Sequence, residues 1–148
     1  MTAMPDTLDG TMLQVISGHL TQRRLEELVA DPIDRAGWWV ELIRQLDDLA
    51  ESVQTSPGNL VDVIGFAEQI RVDAPHLLSR WERLAVERDS LYGAVTEVRL
   101  QVSRDVGDPA AMPTVCRSVR DVLTRVRRYQ ERTTDVLLDA YERDMGGE

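Results

Sequence analysis

Apolar positions recur along this chain in alternating steps of three and four. From Leu60 a stripe runs through Val63, Ala67, Ile70, Ala74, Leu77, Trp81 and Leu84, then resumes after Arg88 with Leu91, Val95, Val98 and Val102. Val115, Val119, Val122, Val126, Tyr129, Thr133, Val136 and Ala140 repeat it in the last third, and Trp39, Leu42, Leu46, Leu49 and Val53 carry it earlier. Such steps keep one side of a helix turned toward a partner, whereas a half-buried strand alternates with period two. No segment shows that alternation. Between Leu13 and Val29 a looser stripe passes through Ile16, Leu20, Leu25 and Leu28. The pattern predicts an all-α chain.

Breakers set the boundaries. Asp31-Pro32 ends the first helix, and Thr55-Ser56-Pro57-Gly58 separates the second from the third. Gly107-Asp108-Pro109 and Pro113 precede the last helix, where Thr114 is placed to cap, and Gly146-Gly147 close it. An unbroken helix from Leu60 to Arg104 would run roughly 65 Å, about twice its neighbours, so Pro75, with Asp73 as a new cap, is read as a break. The expected architecture is an antiparallel up-and-down bundle of four main helices, near 35–54, 58–72, 75–104 and 114–143, with an N-terminal helix packed on it. Residues 1–10 are expected to be a flexible N-terminus and 11–148 a single domain.

Charge narrows the partners. The 148 residues carry 26 acidic and 17 basic side chains, a formal charge of -9, which disfavours phosphate binding and hence nucleic acid. Every basic residue is arginine. No apolar run is long enough to span a bilayer, and the first ten residues hold no basic residue of a secretory leader, so a cytoplasmic domain is expected. One cysteine excludes an intramolecular disulfide framework. That residue, Cys116, falls in the first turn of the last helix near Arg117 and Arg120, which makes it a candidate redox thiol beside its default reading as a small core-edge residue. Arg117, Arg120, Arg125, Arg127, Arg128 and Arg132 form a basic cluster, read as a solvated face or as the contact of an acidic partner or an anionic ligand. Trp38, beside the seam residue Trp39, is expected to pack on the N-terminal helix or to form an interface.

The seam has polar gaps at Arg88, Tyr129 and Thr133. A guanidinium on a core stripe must find a carboxylate, reach solvent or line a polar cavity. Three runs around these gaps carry a family resemblance: Arg128 to Gly147 (RYQERTTDVLLDAYERDMGG), Gly65 to Leu77 (GFAEQIRVDAPHL) and Glu82-Arg83-Leu84 through Glu87-Arg88. The first resembles the last helix of bacterial hemerythrin-like (HHE cation-binding) domains, the second the segment after their second ligand helix, the third the approach to their third-helix histidine. The resemblance covers about residues 58–148. It implies a four-helix bundle and, in the family, a non-haem di-iron centre ligated by histidines and carboxylates.

Position by position the ligands are substituted. Tyr129 stands where the family's last-helix histidine would be, Thr133 at a carboxylate position and Arg88 at the third-helix histidine; Asn59 and Asp62 fall near the second-helix histidine and carboxylate. The first-helix ligand has no match. The chain's two histidines, His19 and His76, both lie outside the matched positions. A guanidinium has no lone pair to donate and repels a metal cation. Asp73-x-x-His76 mimics a Glu-x-x-His motif, but a ferritin-type site needs two such motifs on different helices. The expectation is no cofactor and no catalysis: a degenerate bundle used as a binding or interaction module for a protein partner or a second copy. Alternatives are a divergent iron-binding oxygen, nitric oxide or redox sensor, and an anion binder using Arg88 with Tyr129.

Overall fold

The computed structural model describes residues 19–55 and 75–146, with side chains through residue 139. These residues form four helices: α1 (residues 19–30), α2 (Ala36–Thr55), α3 (Pro75–Asp105) and α4 (Met112–Gly146), with a short 3₁₀ turn at Pro109–Ala111 before α4. No strand occurs among the described residues, and the chain folds as an all-α helical bundle. The expected helix at 58–72 and the break residue Asp73 lie outside the described residues.

The three-four stripes became the core. Trp39, Leu42, Leu46, Leu49 and Val53 of α2, Trp81, Leu84, Leu91, Val95 and Val102 of α3, and Val115, Val119, Val122, Val126, Tyr129 and Val136 of α4 are all buried in one cluster. α3 packs against both α2 and α4. Arg80 Nη1 meets Asp139 Oδ2 at 2.7 Å, Arg132 pairs with Glu87, and Arg125 Nη2 donates to Ser90 Oγ at 3.3 Å. Their numbers rise on one helix as they fall on the other, so α3 and α4 run antiparallel. Arg99 Nε to Asp47 Oδ1, at 2.9 Å, ties α3 to α2. That tie sets the 20-residue α2 beside the C-terminal part of the 31-residue α3.

The N-terminal helix packs on this frame, but not on the expected stripe. Leu20 is 56% exposed, and the buried face of α1 is Thr21, Gln22, Leu25 and Val29. The step of five between Leu20 and Leu25 cannot hold both on one side of a helix; Leu25 and Val29 reach the core, so the face rotates onto two polar residues. α1 is tied to α4 by Glu26–Arg127 and by Arg120 Nη2 donating to the Val29 carbonyl at 2.8 Å. On its other side Trp38 Nε1 of α2 donates to the Leu28 carbonyl at 2.9 Å.

The start of the last helix also differs from expectation. Thr114 sits inside α4 rather than at its start, and Asp108 caps the 3₁₀ turn before it, its Oδ1 accepting from the Ala110 N–H at 3.1 Å. Gly107 makes the turn possible, with φ at +81°, a region that other residues enter only with strain. Pro113 fits in the first turn of α4, where its missing N–H has no intrahelical role.

Candidate functional site

Two of the family-matched positions come together at one level of the α3–α4 interface. The Arg132–Glu87 and Arg125–Ser90 contacts bracket Arg88 on α3 and Tyr129 on α4, with Thr133 one turn further along. Their neighbours Leu84, Leu91, Val126 and Val136 are buried. At this level a di-iron protein would need converging imidazoles and carboxylates.

The side chains present do other things. Arg88 leans out of the seam: its side chain is 28% exposed, and Nε and Nη2 both reach Asp89 Oδ1 at 3.3 Å. Tyr129 is buried within the apolar cluster. The Thr133 hydroxyl donates to the Tyr129 carbonyl at 2.9 Å, a bond back into its own helix. Asn59 and Asp62 lie outside the described residues. Among the described residues no group of three or more His, Cys, Asp or Glu side chains is gathered so as to hold a metal ion. Arg88, Tyr129 and Thr133 do not fit a di-iron centre. A cation occupies one position, a helix-bonded hydroxyl another, and a buried tyrosine the third.

Cys116 sits about 20 Å along α4 from Tyr129, at 1.5 Å per residue, so it belongs to a different level of the bundle. It is buried, and burial pushes its thiol pKa up, with Arg120 pulling the other way more weakly. The thiol is therefore held protonated, the opposite of the activation that a helix N-terminus and arginines suggest. His76 opens α3, opposite the C-terminal end of α4 and far from Cys116. Both His19 and His76 are exposed.

The arginine cluster of α4 is largely consumed in holding helices together. Arg120 and Arg127 face α1, while Arg125 and Arg132 face α3; Arg117 and Arg128 are exposed. Trp38 packs as one of the two expected readings has it, edge-on to Trp39 with ring centroids 5.0 Å apart and planes at 88°. Polar groups that sequence reasoning missed are Thr21, Gln22 and Gln45, all buried, and Trp39 Nε1. Gln45 is satisfied, since its Nε2 donates to Glu41 Oε1 at 2.9 Å. That bond, reinforced by Arg44, holds the Glu41 carboxyl below the usual carboxylate range. Gln22 Nε2 and Trp39 Nε1 are buried without a hydrogen-bond partner among the described residues. No sequence signal marks such positions, because a glutamine on a helix reads as solvent-facing until its neighbours are known. None of the described helices is long and apolar enough to cross a membrane. No known family model, curated protein or solved structure matches this chain.

Proposed function

We propose that this chain is a hemerythrin-like bundle with a degenerate metal site, and that it works as a non-catalytic binding or interaction module. The observation that carries the reading is the fate of the matched positions on α3 and α4. Arg88 turns to Asp89, Thr133 bonds to its own helix, and Tyr129 fills core volume. Packing replaces coordination there. A bundle without a reactive centre presents surfaces, and binding through them to a protein partner or a second copy is the use left to it.

The test is metal analysis of protein expressed with added iron and purified anaerobically, with an optical spectrum after exposure to oxygen. Folded, helical protein with negligible iron is the expected result. About two irons per chain with an oxo-bridge charge-transfer band would overturn the reading and make the chain an iron-binding sensor.

A further inference from the structure

α1 is held differently from the other described helices. α2, α3 and α4 each place five or more apolar side chains in the common core, whereas residues 19–30 contribute Leu25 and Val29, with Leu28 partly buried. The remaining buried positions of α1 are Thr21 and Gln22. Gln22 is 6% exposed and its Nε2 lacks an acceptor among the described residues. A buried amide in that state weakens the closed arrangement, because water satisfies it as soon as the helix lifts. The opposite end of α1 is pinned twice. Its last-turn carbonyls, those of Leu28 and Val29, accept from Trp38 Nε1 and Arg120 Nη2 at 2.9 and 2.8 Å. Donors at a helix C-terminus satisfy groups that have no intrahelical partner and oppose the negative end of the dipole.

We infer that α1 is a latch, opening from the Gln22 end and turning about its pinned C-terminal end while α2, α3 and α4 stay folded. On α4 the facing stripe is Arg120, Leu123 and Arg127, spaced three and four residues apart. Arg120 contacts α1 at its pinned end and Arg127 contacts it nearer the Gln22 end, and Leu123 between them is buried. Opening breaks the exposed Glu26–Arg127 pair and bares Leu123.

Cys116 lies beyond the pinned contact, so the reporter is a thiol placed under the opening end, L123C in a C116A background, in which the further substitutions are made. The full chain is treated in native buffer with an excess of dithiobis(nitrobenzoate), and the release of nitrothiobenzoate is timed. Q22L is expected to slow the reaction about tenfold, since it removes the orphaned amide and adds apolar burial in the closed state. V102A, in the core of α3, is expected to lower the urea midpoint yet change the thiol rate by less than about twofold, because latch opening leaves that site packed. A V102A rate raised by the full factor of its global destabilisation would overturn the latch, as would an unchanged rate in Q22L. Amide hydrogen exchange gives a readout independent of thiol chemistry. Residues 22–29 are expected to exchange at least about tenfold faster than the core of α2, and equal rates would sink the inference.

Discussion

Arg88 interrupts an otherwise apolar stripe, and replacing it with leucine separates a tolerated residue from a used one. Its side chain is 28% exposed, so much of its stem is already out of water although its head leans to Asp89. The neighbouring seam positions Leu84 and Leu91 are 3% and 1% exposed, so a leucine at 88 would continue a packed surface. What is lost is an ion pair with Asp89, whose side chain is 75% exposed, at 3.3 Å. Exposed pairs of that kind are worth about 0–1 kcal/mol. What is gained is release from ordering a long side chain, about 1 kcal/mol, and apolar contact in place of a half-desolvated guanidinium, about 1 kcal/mol more. The balance is a stabilisation of about 1 kcal/mol, which at a slope of about 2 kcal/mol per molar urea raises the midpoint by about half a molar. Equilibrium urea unfolding followed by far-ultraviolet circular dichroism measures it. A loss of more than about 1 kcal/mol in R88L would refute the reasoning, because it would mean the guanidinium satisfies buried groups rather than leaning to solvent.

Two glycines should respond to alanine with opposite signs. G107A forces a side chain into φ +81° and is expected to cost about 1 kcal/mol, although a Cβ there meets nothing within 4 Å. G93A, inside α3 and equally open around its Cβ, is expected to stabilise by about 0.5–1 kcal/mol; thermal melts of the two variants check both signs. Alkaline pH should expose the burial of Cys116. Its folded pKa lies above the unfolded one, so its contribution is intact below the ordinary thiol range and is lost as pH rises through the folded value. Urea stability measured between about pH 7 and 10 should therefore fall more steeply in the wild type than in C116A, and parallel curves would contradict the assigned burial effect.

α2, α3 and α4 were legible in the sequence because three-four spacing admits one buried face, and most side chains on it are buried, with Gln45 and Leu123 joining them from beside it. Boundaries near Pro75, Gly107 and Pro113 followed from backbone chemistry alone. α1 was half legible. Its C-terminal end was clear, but its face was not, since the apolar residues break step and the deciding contacts come from α2 and α4. Cap placement erred at Thr114 because a 3₁₀ turn capped by Asp108 leads into α4 before it. Arg88 was legible as a polar gap in an apolar stripe, whereas its direction was not: whether an arginine enters or leaves a seam depends on rotamer and on Asp89. Ties such as Arg80–Asp139 or Arg120 to the Val29 carbonyl join residues 59 and 91 apart, and spacing carries no record of them. Cys116 shows the same limit, since proximity to arginines was visible and the burial that outweighs it was not.

The turn at Gly107–Asp108–Pro109 also bears on how the chain folds. It connects helices of 31 and 35 residues through the six residues between Asp105 and Met112, so closing the α3–α4 hairpin restricts very little chain. The contacts of that hairpin start almost next to one another in sequence and spread outward from the turn, an order that favours rapid zipping. By contrast, joining α1 to α4 at Arg120 and Val29 encloses most of the protein. A folding nucleus centred on the hairpin, with α2 condensing on it and α1 docking last, is the route this topology makes fastest.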